Sequence, residues 1–171
     1  MRPMKALPPN SSTALAAQNR NNAFRLTVAG LVSRTHQFSL QDLRLNFNER
    51  SFDNRQTNRF STGEKSWQGC SLNELIEFVG VSGQAHYVEF VCAESGSGTA
   101  FSVPVAELEN QEIGLIWEQN GESLSADEGG PLSVLAPGLE GYELLPGVSR
   151  INLVIIPCST NRSDLRPALA A

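Results

Sequence analysis

Lysine is almost missing from this chain, with two residues, Lys5 and Lys65, among 171. The rest of the positive charge is arginine, and 13 basic residues stand against 18 acidic ones, for a net charge of −5 and a pI near 5.0. Binding nucleic acid requires a cationic surplus to neutralise phosphates, so this balance argues against such a partner. Metal-ligating residues are scarce as well. The two histidines, His36 and His86, and the three cysteines, Cys70, Cys92 and Cys158, lie far apart. With no Cys-x-x-Cys spacing, a zinc site would have to be assembled from scattered residues, and none is expected. The odd cysteine count provides no disulfide framework, which suits a reducing compartment. No run approaches the roughly 18 apolar residues of a membrane span. The start, "MRPMKALPPNSSTALAAQNRNN", lacks the apolar centre of a secretory leader. A cytoplasmic protein without membrane contact is the expectation.

What is present is an ordinary globular balance, 40% hydrophobic and 18% charged residues, in a chain long enough for one cored domain. Residues 1–23 are rich in Asn, Ser, Ala and Pro without periodicity, and are expected to be a mobile tail. "FRLTVAGLV" reads as a strand with a bend or bulge at Gly30. "SLQDL" follows as a short helix, with Ser39 at the N-cap and Asp42 three residues on. The polar stretch from Asn46 to Arg59 is a loop or an edge strand. "SLNELIEFVGV" carries the clearest helix signal: Ser71 and Glu74 as a capping box, Leu72, Leu75, Ile76 and Val79 as one stripe, and Gly80 as the stop. "HYVEFVC" and "FSVPV" read as strands joined by a tight connection, and Pro104 opens a short helix, "PVAELEN". "IGLIWEQNG" is a strand ending in an Asn120-Gly121 turn, and "GPLSVLAPG" and "RINLVII" supply the last two strands. Short helices between strands, without regular βαβ alternation, predict a single α+β domain with a mixed sheet over 24–157. A second mobile tail, 158–171, is expected to follow.

Generic catalytic signatures are absent. The "GSG" at Gly96 to Gly98 precedes a strand rather than the helix N-terminus that a phosphate cradle needs, so it reads as a turn. Glu107 and Glu109 cannot face one point from a short helix, and both are expected in solvent. Adjacent carboxylates diverge, so Asp127-Glu128 reads as a polar turn rather than an acid/base pair.

Four blocks in order, "FRLTVAGLV…FSLQDL", "WQGCSLNELIEFVGV", "YVEFVCAESGSGTAFSVPVAEL" and "IWEQNGESLSADEGGPLSVLAPGLEGY…SRINLV", resemble the molybdopterin-binding domain of the sulfite oxidase family. Trp67, Gly69 and Leu72 form its W-x-G-x-x-L block. Asn120 to Leu132 form the more specific N-G-x-x-L-x-x-x-x-G-G-P-L block, and Pro137 to Tyr142 a supporting P-G-L-x-G-Y. The resemblance implies a domain holding a molybdenum pterin by one cysteine thiolate just before the W-x-G block, with basic side chains and backbone amides gripping the pterin and its phosphate. Oxygen-atom transfer or reduction would then be chemistry of the metal, tuned by the protein.

This chain departs from that pattern where the cofactor would sit. The ligand position falls at Phe60, or at Ser61 if the loop shifts by one, and neither is a thiolate. Cys70, on the far side of Trp67, reads as a small half-buried residue rather than a displaced ligand. Where the family usually has His before and Arg after Gly-Gly-Pro-Leu, this chain has Glu128 and Ser133; Glu143 and Pro146 stand where it often has lysines; its acidic-Gly-Tyr turn is Ser97-Gly98-Thr99. Each lost charge-assisted hydrogen bond to a buried anion costs about 1.5–3 kcal/mol, and several together remove roughly 10³-fold in affinity. The expectation is therefore a degenerate member, non-catalytic and without cofactor or metal, although molybdopterin remains possible by resemblance. Its remnant cleft, with Arg59, Ser61, Gly130, Ser133 and Tyr142 as candidate binding residues, would take a small anionic ligand or a protein segment. Trp67 is expected to pack against the helix led by Leu72, and Tyr142 either points its hydroxyl into the old cleft or is a core aromatic. Arg44, Arg50, Arg55 and Arg59 are the basic concentration, read as an exposed Arg/Asn loop or, if gathered on one face, an anion grip.

Overall fold

The first and last strands of the domain lie side by side and run parallel. In the computed structural model, which describes residues 11–53, 66–92, 100–127, 129–138, 141–145 and 147–156, β1 (Leu26–Gly30) pairs with β11 (Val148–Val154), Val28 opposite Ile151. Around that pair a five-stranded sheet is built in the order β2-β1-β11-β5-β6, where β2 is His36–Phe38, β5 Tyr87–Cys92 and β6 Ala100–Pro104. Its other pairings are antiparallel, so the sheet is mixed. A second, antiparallel sheet runs β10-β9-β7-β4-β3, with β8 paired to β7. Here β3 is Arg50–Asp53, β4 Ser66–Ser71, β7 Gly114–Gln119, β8 Glu122–Ser123, β9 Ser133–Gly138 and β10 Gly141–Leu145. The chain is thus a single small α+β domain with two sheets and few helices.

Period-two alternation on the second sheet separates two cores. Leu115, Trp117 and Val134 join the main core with Leu26, Val28, Val88, Phe90, Ile151 and Leu153 of the first sheet. Helices α2 (Leu40–Asn46) and α3 (Leu72–Val79) close this core with Leu43, Leu72, Leu75 and Val79. Ile116 and Leu135 point the other way, into a smaller cluster with Phe52, Trp67 and Leu124. Trp67 therefore does not pack with Leu72 as expected from sequence; the two belong to different cores.

Helix α2 forms as its sequence requires. The Ser39 N–H donates to Asp42 Oδ2 at 2.8 Å and the Asp42 N–H to Ser39 Oγ at 3.1 Å, a complete capping box. Helix α3 does not: Ser71 makes no side-chain cap, although Gly80 ends the helix in the left-handed region at φ 68° as expected. Three further expectations change. Ser11–Ala23, within the stretch expected to be a mobile tail and given no helix from its sequence, forms a helix, α1, favoured by its alanines. The helix opened by Pro104 is only one 3₁₀ turn, Val105–Glu107. β10, which the sequence reading did not recognise, is inserted between the last two expected strands and pairs antiparallel with β9. The open choice over Asn46 to Arg59 resolves as an edge strand for Arg50–Asp53.

Candidate functional site

The two most distinctive sequence blocks are positions where backbone meets backbone. On β4, Trp67 is buried and its Nε1 donates to Gln119 Oε1 at 3.1 Å. Two residues on, the register against β7 slips between Gln68 and Gly69. A β-carbon on Gly69 would collide with the Leu115 carbonyl oxygen, so only glycine allows β4 to close on β7.

The Gly-Gly-Pro-Leu turn is held in the same way. Gly129 adopts φ 85°, the Gly130-Pro131 peptide is cis, and a β-carbon on Gly130 would strike the Leu124 carbonyl oxygen. The Gly130 N–H donates to the Ser125 carbonyl at 2.7 Å and the Gly129 N–H to that of Ala126 at 3.1 Å. From the other side, the Gly147 N–H donates to Gly129 O at 2.9 Å and the Val148 N–H to Leu132 O at 3.0 Å. Ser133 is fully buried, and its hydroxyl donates to Gly129 O at 2.8 Å. These residues stitch the entry of β9 to the entry of β11, and polar groups buried there are partnered as burial demands.

Two arginines of the basic stretch, Arg44 and Arg50, pair with carboxylates. Arg44 reaches Glu118 Oε1 at 2.9 Å while its guanidinium carbon sits 5.5 Å from the Trp117 ring centre, in cation–π range. Arg50 bridges Glu74 at 2.9 Å and Glu112 at 3.0 Å. Its pKa is raised by the hydrogen bond to Glu112 and then by that to Glu74. Burial pushes the Glu74 carboxyl up, but the Asn48 N–H, Arg50 and the Asn48 side chain together bring it below its ordinary value. Arg44 and Arg50 thus meet fixed negative groups of the protein itself; Arg55 and Arg59 lie outside the described residues.

Cys70 is fully buried rather than half-buried. Burial, with a smaller push from Glu74, raises its thiol to about 12, so with no metal beside it the thiol stays protonated near neutral pH. Burial raises the Cys92 thiol too. Among the described residues, no three His, Cys, Asp or Glu side chains gather closely enough to hold a metal ion. Glu107, expected in solvent, is only partly exposed, and its Oε2 is buried without a hydrogen-bond partner. A shallow groove of about 510 Å³ is lined by His86, Tyr87, Pro104, Ala106, Ile155 and Ile156, none of them from the two blocks.

Of the five candidate cleft residues, the structure brings Gly130 and Ser133 together, in one stitched turn. Tyr142 lies on β10 with its backbone opposite Pro137. Arg59 and Ser61, with Phe60 between them, lie outside the described residues, as do Gly96 to Gly98, Glu128 and Pro146. The Arg50–Glu74–Glu112 bridge and the Arg44–Trp117 contact were missed from sequence. Their partners are 24, 62 and 73 positions apart, and only the folded sheets bring them together. No helix among the described residues is long and apolar enough to cross a membrane.

Comparison with known proteins agrees with the motif order. Residues 13–161 match the family described as oxidoreductase molybdopterin binding domain. A sulfite oxidase of Arabidopsis thaliana is 32% identical over 106 residues, covering 54% of this chain and 27% of that protein. A nitrate reductase [NAD(P)H] of Hordeum vulgare is 27% identical over 172 aligned positions, covering 83% of this chain and 19% of that one. The chain therefore spans about a quarter or less of the length of these relatives. In three dimensions it resembles the sulfane dehydrogenase SoxCD of Paracoccus pantotrophus, with a TM-score of 0.64 at 22% identity over 78% of this chain and 38% of the other. That likeness concerns the fold.

Proposed function

Because the chain belongs to the oxidoreductase molybdopterin-binding domain family, we propose that it is a member that keeps the family's frame without holding the molybdenum pterin, and that it works as a binding module. The observation that carries this reading is the fate of the sulfur. Phe60 and Ser61 occupy the position where the resemblance puts the ligand, and the nearby Cys70 is sealed in the core with its thiol raised to about 12. These positions offer a soft metal no accessible sulfur. The charges support the same reading, since Arg44 and Arg50 already face Glu118, Glu74 and Glu112. An anionic pterin would have to compete with those carboxylates for them.

The glycines explain how family signatures persist without the group. Gly69 and Gly130 are required by the approach of Leu115 and Leu124 carbonyls, so the blocks report the frame rather than a bound molecule. The ligand class in keeping with this reading is a small anion or an extended protein segment at the Gly-Gly-Pro-Leu side of the domain.

The competing reading is a molybdopterin-dependent oxidoreductase with a ligand other than cysteine, and the extent of the family match, 13–161, favours it. The two separate on extraction. Protein made in a host that synthesises the cofactor should release no fluorescent pterin after oxidation if the first holds. Release of one pterin per chain would establish the second. Metal uptake by Phe60→Cys, but not by the parent, would identify position 60 as the vacated ligand site.

A further inference from the structure

Asparagine is followed by glycine at one place in the sequence, Asn120-Gly121, and the fold puts that pair at the exposed tip of the β7–β8 hairpin. Glycine has no side chain to shield its backbone nitrogen, which makes Asn-Gly the asparagine context most open to attack on the neighbouring amide. With φ 51° at Asn120 and 81° at Gly121, the two residues form a tight turn of the mirror-image type that suits hairpins. Gln119 opposes Glu122 across it. The side chain is also tethered. Asn120 Oδ1 accepts from the Ser66 N–H at 3.0 Å, and the Asn120 N–H donates to Ser66 O at 2.7 Å. Asn120 thereby fixes the first residue of β4, next to the buried Trp67.

The geometry points to Asn120 as a spontaneous modification site whose rate is gated by its clamp on Ser66. The Gly121 backbone nitrogen, giving up its proton to water, attacks Asn120 Cγ; a C–N bond closes a five-membered succinimide and ammonia leaves. Water then adds to one ring carbonyl, opening the ring to aspartate or isoaspartate, with water consumed and ammonia released overall. Aspartate keeps an acceptor for the Ser66 N–H. Isoaspartate lengthens the backbone by one bond and cannot keep both the turn and the clamp, so ageing of this residue loosens the start of β4. Attack requires the amide to leave Ser66 and the turn to open, which makes the folded chain slower than the unfolded one.

The test is to age the full chain at mildly alkaline pH, with and without urea, and to follow asparagine-containing peptides by mass spectrometry with fragmentation that separates isoaspartate from aspartate. The expected result is a one-dalton gain at Asn120 ahead of every other asparagine, at least several-fold faster in urea, and none at that position in Asn120→Gln. Modification of another asparagine first would overturn the site. Equal rates in buffer and urea would overturn the gate, a readout that does not depend on how the variant folds.

Discussion

Helices α2 and α3 begin with the same written instruction and execute it differently. Each has a serine followed three residues later by an acid, Ser39 with Asp42 and Ser71 with Glu74. In α2 both reciprocal hydrogen bonds form. In α3 neither serine nor acid caps the helix. Ser71 is the buried last residue of β4, and the Leu72 N–H donates to the Ile113 carbonyl at 2.9 Å instead. Glu74 has been recruited by Asn48 and Arg50 of the neighbouring edge. A capping box is a local preference of about 1 kcal/mol, and a tertiary partner in reach outcompetes it. The same diversion pairs Arg50 with Glu74.

That comparison can be strained experimentally. The largest effect should come from the leucines that seat the two helices, Leu43 in α2 and Leu75 in α3, both fully buried. Leu43→Ala and Leu75→Ala are each expected to lose about 2–5 kcal/mol in urea unfolding, so burial, not capping, dominates both helices. Next is Ser39→Ala, which removes a formed cap and should cost about 0.5–2 kcal/mol. Its counterpart Ser71→Ala loses no cap hydrogen bond, and should leave the unfolding midpoint closer to the parent's. Equal losses at the two serines would contradict the difference drawn between the helices.

Acid should weaken the α2 cap and the Glu74 contacts with Asn48 and Arg50. Asp42 is held below its ordinary value by the backbone N–H and then the hydroxyl of Ser39, and Glu74 is lowered as well. A carboxyl depressed in the folded state binds fewer protons there than in the unfolded chain. Its contribution is therefore complete above the ordinary carboxylate range, about pH 4, and is lost as pH falls through the lowered value. Stability followed by thermal melts from neutral pH downward should decline in that window, and Asp42→Asn should flatten part of the decline. The smallest expected effect is that of Glu74→Gln, which neutralises the half-buried partner of the exposed Arg50. Its loss should shrink further in high salt, where Coulomb attraction is screened.

Much of the fold was legible because local signals and burial agreed. The Ser39 box, the stripe of Leu72, Leu75 and Val79, the stop at Gly80 and the turn at Asn120-Gly121 each combine a residue type with a backbone requirement. What escaped was decided at a distance. β10 follows Gly138 too closely to stand out as a separate apolar run, and it is defined by pairing with β9. The side on which Trp67 packs depends on the pleat of β4, and the destination of Glu74 depends on Arg50, 24 residues away. At the candidate site the sequence shows Phe60 and Ser61 where the resemblance implies a cysteine, and both lie outside the described residues. It could not disclose that the Gly130 N–H is spent on the Ser125 carbonyl and the Ser133 hydroxyl on that of Gly129.

The most direct test is the molybdenum-to-protein ratio of the purified chain, by elemental mass spectrometry, after expression in a host that makes the cofactor. A frame without its sulfur ligand should carry molybdenum at background level, no higher than an unrelated protein purified alongside. One molybdenum atom per chain would contradict it.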